Sequence, residues 1–492
     1  MTTPSFPRPM IRPASRLRRW TTRVLLALVP LALAAFYLLY PYLPLEPAPG
    51  RPKTPLQRVF CWVRPYPHGA ADDPVAYPVD FSAYYIGGAA VAWKMPESLY
   101  PIPRGELPHP APIQRFRRFA GDSLPLLAHN SYLPEKLCPR LYLRGATRLS
   151  AYVNPPVLAP FLAPLAHLDF IPALRAWQIL CALALALAAA STLLDCRARG
   201  APPWLSALFV LVAFFSRPVA LEAIWATNLA CCLALAGALF VSAVRRGARA
   251  RGGIARQGWA AGEAAGAVAL AVGKLYAAPW VPLYILRRRW RAAAWGAVLS
   301  AAVFSATLPA IGWRSYETFF LRVAPAMFRG GGFEGWNTGF LTPALAKILP
   351  AGLVWKACDW GLILSLLAVY GAAWRRPPLP SGGEEDAAFL RFCAAALAAF
   401  VVFRPLSWGY TYTAILPFVP ATAEALWRRA KVLFAAYAAG WLWLFLPLSL
   451  VLPAGANVFP RAVALLAVLG GFLAAAVLPE RAADRPAGPV SA

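Results

Sequence analysis

Long apolar runs separated by short basic clusters set the pattern of this chain. Runs that cross, or nearly cross, a hydrocarbon core of ~30 Å fall at 24–40, 171–194, 203–222, 226–244, 259–273, 275–286, 292–312, 353–373, 387–403, 411–427, 432–452 and 461–479. They predict an all-α polytopic membrane protein of about 12 transmembrane helices. Between the runs lie "RLRRW", "RRGARARGG", "RRRWR", "WRR" and "WRRAK". Lys and Arg collect in the cytoplasmic loops of membrane proteins. With these clusters inside, every loop alternates correctly and both termini are cytoplasmic. The first run follows Arg12, Arg16, Arg18, Arg19 and Arg23 and precedes the bulky, proline-rich "PYLPLEPAPG". No small-residue cleavage site follows, so the run reads as an uncleaved signal anchor.

Two stretches fit only one way. The run "PPVLAPFLAPLAHL" (155–168) is short and broken by prolines, and if it crossed, the 245–258 cluster would lie outside. It is therefore read as an interfacial or re-entrant helix on the outer side. The 259–286 run starts and ends beside basic clusters, so it must go out and return. At ~1.5 Å per residue each arm is expected to be too short to span. The turn near Lys274 then lies within the outer half of the membrane, where irregular backbone needs cover from protein or water.

The expected organisation is a cytoplasmic N-terminus and first helix (1–43), then a long extracytoplasmic loop with interfacial helices (44–170). Helices with the short re-entrant-like pair follow (171–312), then a second extracytoplasmic loop (313–352), the C-terminal helices (353–479) and a cytoplasmic tail (480–492). Loops as long as the first escape the charge rule, so its arginines do not contradict this topology. No internal repeat is visible.

Composition sharpens the class. Of 492 residues 59% are apolar and 14% charged, against roughly half and a quarter in soluble domains. The net charge of +27 lies mostly in loops between apolar runs, which points to anionic membrane lipids and not to nucleic acid. The eight cysteines show no CxxC spacing. Cys181, Cys231, Cys232 and Cys393 sit in apolar runs, where buried thiols are ordinary. Cys61 and Cys138 share the first outer loop and are either a disulfide or two free thiols. His68, His109 and His129 lack ligand spacing, and no metal or cofactor is called for.

On this topology Asp80, Asn154, Asn228, Lys274, Asn337, Arg404, Ser407 and Tyr410 converge on the outer face, with Tyr84 and Trp408 in the same motifs. Cytoplasmic polar residues, by contrast, are almost all clustered arginines. Asp80 opens "DFSAYYIGGAAVAW" and has two readings, an N-cap for a helix starting at Phe81 or a reactive carboxylate. Asp72 and Asp73 have no apolar run behind them and read as solvated. Lys274 is an ionisable group within "ALAVGKLYAAPW", functional by default unless it snorkels to the interface. Arg217 and Glu222 read as a structural pair, while Glu263 and Asp359 carry no assigned role.

The ordered motifs "DFSAYY…SLY", "YVNPPVLAPFLAPL", "WATNLACCLAL", "AVGKLYAAPWVPLYILRRRWRAA", "NTGF" and "RPLSWGYTYTAILP" span about 77–425. Their order and spacing resemble glycosyltransferase family 87, integral membrane enzymes of the GT-C superfamily. The resemblance implies a GT-C-type bundle and an inverting, metal-independent hexosyltransferase. Such an enzyme takes a sugar, mannose foremost, from a polyprenyl phosphate to a lipid-linked or glycan acceptor outside a bacterial-type plasma membrane. It implies Asp80 as the catalytic acid residue. Lys274 and Arg404 would contact the donor phosphate, and Tyr84, Asn154, Asn228, Asn337, Ser407, Trp408 and Tyr410 would bind substrate. The chain departs from the family's pattern at Asn154-Pro155-Pro156, at Ala226-Thr227-Asn228, and after Ser407-Trp408, where Gly409-Tyr410-Thr411 replaces the histidines many members carry. Two other classes share the hydropathy pattern, a transporter or lipid flippase and a non-catalytic export subunit. The first commonly shows paired halves and a midplane site, and neither feature is found here.

Overall fold

A computed structural model describes residues 28, 31–39, 79–100, 137–144, 152, 154–197, 203–216, 219–220, 222–225, 227–250, 252–324, 341–378, 382–403, 409–445 and 458–478. Among them every regular element is helical. The principal helices are α1 (Val79–Ala92), α2 (Phe170–Arg197), α3 (Pro203–Phe214), α4 (Ala230–Arg249), α5 (Gly253–Lys274), α6 (Val281–Leu286), α7 (Trp290–Ile311), α8 (Ala351–Arg375), α9 (Gly382–Phe403), α10 (Val419–Arg429), α11 (Lys431–Phe445) and α12 (Val458–Val477).

Among the described residues six helices, α2, α4, α7, α8, α9 and α12, are long and apolar enough to cross a membrane. Each coincides with a run marked by hydropathy, to within a few residues. Burial separates them into layers. The apolar window of α9 is 83% buried and that of α7 only 11%, so α9 forms the core and α7 the periphery. Trp290, Trp295 and Val298 on α7, and Trp360, Leu364 and Leu367 on α8, point outward. Large apolar groups presented in this way match a lipid surface, where the solvent is as apolar as the side chains.

The remaining runs behave differently, and proline accounts for two of the differences. The 411–427 run is a 3-10 helix over Gly409–Phe418, containing Pro417, and becomes α10 only at Val419. The 275–286 arm is a 3-10 turn (Ala278–Trp280) and the six-residue α6, with Pro279 and Pro282 interrupting it. Proline removes an N–H and clashes with the preceding turn, which hydropathy does not register. The 203–222 run yields only twelve helical residues in α3. In the first arm of the 259–286 pair the helix is longer than the apolar run, although it is not among the six helices long and apolar enough to cross. Helix α5 begins at Gly253 and has 22 residues, about 33 Å at 1.5 Å per residue, because the exposed stretch 252–258 continues the helix at its basic end. The run at 155–168 forms a compact rod of 3-10 (Pro156–Leu158), α (Ala159–Leu162) and 3-10 (Ala163–His167) turns.

Glycines set the closest approaches. A Cβ on Gly266 of α5 would lie 2.8 Å from the Phe240 Cβ on α4, and one on Gly273 would lie 2.5 Å from Leu233 Cδ2. Small residues let membrane helices meet at their backbones. The pair in "YYIGGAAV" does the same for α1. A Cβ on Gly88 would lie 2.4 Å from the Leu162 carbonyl oxygen, and one on Gly87 would lie 2.4 Å from the Tyr152 ring. Gly88 thus seats α1 directly on the rod. Gly88→Ala is expected to lower stability by about 1–3 kcal/mol through overpacking against backbone. Gly371→Ala on α8, where nothing lies within 4 Å, should be neutral or gain ~0.5–1 kcal/mol from helix propensity. Thermal unfolding of the two variants in one detergent checks the contrast.

At the basic end the fold is closed by buried ion pairs. Arg289 donates from Nε to Glu263 Oε1 at 2.8 Å and from Nη2 to Oε2 at 2.5 Å. Its Nη1 meets Asp386. Beside it Arg287 pairs with Glu385 through Nε at 2.7 Å and through Nη2. Arg287 Nη1 also donates to the carbonyls of Ala373 (3.2 Å) and Arg376 (2.5 Å). Glu263, without a role in the sequence, is therefore half of a helix-to-helix clamp joining α5, the α6–α7 turn and α9.

Candidate active site

The site grows from the N-terminus of α1. Helix α1 begins at Val79, so Asp80 is its second residue and not the residue ahead of it, a correction to the capping alternative. In the first turn its charge still meets the positive end of the helix. Asp80 is half-buried, and Oδ2 accepts a hydrogen bond from Asn228 Nδ2 at 2.9 Å.

Asn228 lies in the tight turn that leads into α4. Its Oδ1 accepts from the Ala230 N–H at 2.9 Å, which satisfies one of the helix's unpaired donors. The same oxygen accepts from Lys274 Nζ at 3.1 Å. The amide therefore joins a carboxylate on one side to an ammonium on the other, with its orientation fixed by the proton pattern: NH2 toward Asp80, carbonyl toward Lys274. Lys274 is the last residue of α5. It is followed by Leu275 in the left-handed region (φ 60°), whose N–H returns to the Ala271 carbonyl, while the Tyr276 N–H returns to that of Leu270. This cap stops the helix and holds the ammonium at its end.

Thr227, just before Asn228, also adopts a left-handed φ of 49°, a strained conformation for a β-branched residue. Surrounding bonds hold it there. The Thr227 carbonyl accepts from Trp177 Nε1 at 2.7 Å, and the Asn228 N–H reaches the Ala223 carbonyl at 2.9 Å. Cys181 Sγ contacts the Asn228 carbonyl at 3.7 Å. Tyr84, one turn beyond Asp80 on the same face of α1, accepts the Leu229 N–H at 3.2 Å, and its ring lies 5.6 Å from that of Trp177. Burial, and after it the charge of Asp80, pushes the Tyr84 phenol well above its ordinary range, so it stays protonated. Trp177 and Thr227 carry no signal in the sequence beyond an indole N–H that needs a partner when buried.

The structure thus brings Asp80, Tyr84, Asn228 and Lys274 together from three distant segments. Asn154 belongs to a neighbouring patch, where its carbonyl accepts the Tyr100 hydroxyl at 2.5 Å and the Tyr152 hydroxyl reaches the Pro155 carbonyl at 2.8 Å. Tyr100 and Tyr152 are raised by burial well above the usual tyrosine range and act as neutral donors. This patch meets α1 at Gly87, about 10 Å along the axis from Asp80. Asn337, Arg404, Ser407, Trp408 and Cys61 lie outside the described residues, as do Arg217, Asp72 and Asp73. For Tyr410 and Cys138 the backbone alone is described, so the Cys61–Cys138 pairing lies outside as well. The segment after Tyr410 packs on the 219–220 stretch, with Thr413 Oγ1 donating to the Val219 carbonyl at 3.1 Å. Among the described residues no three His, Cys, Asp or Glu side chains gather in a metal-ligating group.

A carboxylate oriented by an amide, with a cation one amide further on, can accept a proton and stabilise an anion a short distance away. Residues 152–405 match the sequence family described as Glycosyltransferase family 87. The matched region holds Asn228 and Lys274 but begins after α1, and the Asn228–Asp80 hydrogen bond ties that helix into it. No curated protein and no solved structure matches the chain.

Proposed function

Because the chain belongs to glycosyltransferase family 87, a family of membrane glycosyltransferases, we propose that Asp80 is the general base of an inverting sugar transfer at the membrane surface. The observation that carries this reading is the Asp80–Asn228–Lys274 chain of hydrogen bonds. The donor is a polyprenyl-phosphate sugar, mannose foremost, and the acceptor a hydroxyl of a lipid-linked or polymeric glycan on the extracytoplasmic side of a bacterial-type plasma membrane. The family match does not favour the transporter or flippase alternative.

In this mechanism the acceptor oxygen attacks the anomeric carbon while its proton passes to Asp80. The bond from that carbon to the phosphate oxygen breaks, and its electron pair leaves with the polyprenyl phosphate. One displacement inverts the anomeric centre. Lys274, with Arg404, offers positive charge to the departing phosphate, which is why no step calls for a metal. Asn228 holds the carboxylate and the ammonium at a fixed separation, and Tyr84 holds the Asn228 turn through Leu229.

Asn228→Asp tests the arrangement. The substitution removes the NH2 donor and sets a second carboxylate against Asp80, so the two compete for one proton. The acid limb of the kcat/KM profile should move to higher pH, and activity near neutrality should fall about ten- to a hundredfold. An unchanged profile would mean that the Asn228–Asp80 contact plays no part in proton transfer. Purified protein offered a panel of polyprenyl-phosphate sugars, with products weighed by mass spectrometry, identifies the donor. Absence of any product mass across the panel would overturn the polyprenyl-phosphate assignment.

A further inference from the structure

The basic end of the bundle contains a cavity that sugar transfer does not use. Helix α4 carries Ala230 at the Asn228 turn and Arg245 near its far end, about 22 Å further along the axis. There α4, α9 and α10 enclose a space of ≈ 240 Å³. Arg245, Arg391, Arg428 and Arg429 line it, together with Glu384 and Glu424. Among the lining side chains arginines outnumber carboxylates four to two. Glu424 is engaged by Arg428, whose Nη2 donates to its Oε1 at 2.6 Å. Arg245 also donates to the Asp195 carbonyl at 3.3 Å, which fixes its guanidinium at the cavity wall. Beneath the arginines the wall is apolar, formed by Val241, Leu390 and Phe418.

Three properties define the ligand. Guanidinium groups from three different helices match the oxygens of a phosphate, which arginine binds bidentately. The apolar wall suits carbon, so a bare phosphate would leave half the cavity unmatched. The cavity opens between helices at the end where basic clusters gather, the level of lipid headgroups in the leaflet that the charge rule makes cytoplasmic. Basic pockets between membrane helices on that side commonly take anionic lipid heads. We propose that this cavity binds the headgroup of an anionic phospholipid, with its phosphate among Arg245, Arg391 and Arg429 and its glycerol and first acyl carbons against Val241, Leu390 and Phe418.

The lipid would sit at the basic end of α4, whose opposite end follows the Asn228 turn of the Asp80 site. The test is native mass spectrometry of the full-length protein in detergent, titrated with phosphatidylglycerol, phosphatidylethanolamine or inorganic phosphate. Wild type should retain phosphatidylglycerol about tenfold more strongly than phosphatidylethanolamine. The double variant Arg391→Gln, Arg429→Gln should lose that preference. Ala421→Trp, which fills the cavity and leaves the arginines in place, should lose bound lipid of both kinds. Asp80→Asn should retain lipid as wild type does, since it lies at the other end. Equal retention of the two lipids by wild type overturns the proposal, as does undiminished phosphatidylglycerol binding in either folded cavity variant. Displacement of phosphatidylglycerol by millimolar inorganic phosphate overturns the assignment to a lipid and leaves a phosphate site.

Discussion

Asp80→Asn is expected to reduce kcat roughly a hundred- to ten-thousandfold with little change in KM for the donor. The substitution keeps the shape of the side chain and its place in the first turn of α1, but the amide cannot take the acceptor's proton. The introduced amide can present its own carbonyl oxygen to Asn228 Nδ2, which keeps its orientation toward Ala230 and Lys274, so the fold should survive. Thermal unfolding within a few degrees of wild type, alongside steady-state rates, separates loss of chemistry from loss of structure. A rate equal to wild type would remove Asp80 from the mechanism and return it to a helix-end charge.

Arg289→Met is expected to produce the largest loss of stability, about 3–5 kcal/mol. Arg289 sits between two carboxylates, Glu263 on α5 and Asp386 on α9. Glu263 and Asp386 are almost fully buried, with side chains 3% and 9% exposed. Removing the cation leaves both charges without their partner in a region of low dielectric, and they repel one another. The triple variant Arg289→Met, Glu263→Gln, Asp386→Asn should recover most of the loss, because the buried charges go together. Unfolding midpoints of the single and triple variants in detergent decide the matter. A single variant as stable as wild type would show that the clamp contributes nothing net.

The helices legible in the sequence are those where hydropathy and backbone chemistry agree. For α2, α4, α7, α8, α9 and α12 a long apolar run contains no internal break strong enough to end it, and run and helix coincide. Around Pro279, Pro282, Pro417 and Pro420 the runs are as apolar but the backbone is interrupted, so the segments become 3-10 turns and short helices. At α5 the difference has the opposite sign. Hydropathy marks only the apolar stretch, whereas the helix already begins at Gly253 in the exposed polar stretch before it, despite Gly253 and Gly258.

Part of the site was legible because intramembrane and membrane-edge polar groups are few. Asp80, Asn228 and Lys274 stood out against apolar surroundings, and the expected topology placed them on one side. Their bonding was not legible. It depends on a left-handed Thr227, an indole N–H from α2 and a helix cap at Leu275, each fixed by packing between segments far apart in sequence. The role of Glu263 was not legible for a related reason. Its partner Arg289 belongs to "RRRWR", where the charge rule explains every arginine as an anchor and hides the two that turn inward.

The most direct test is the stereochemistry of the product. Wild-type protein in lipid nanodiscs is supplied with a polyprenyl-phosphate sugar of known anomeric configuration, and the new glycosidic linkage is read from its anomeric coupling by NMR. A single displacement with Asp80 as sole base predicts the inverted anomer. A product of retained configuration would require a second nucleophile on the enzyme and would contradict the account.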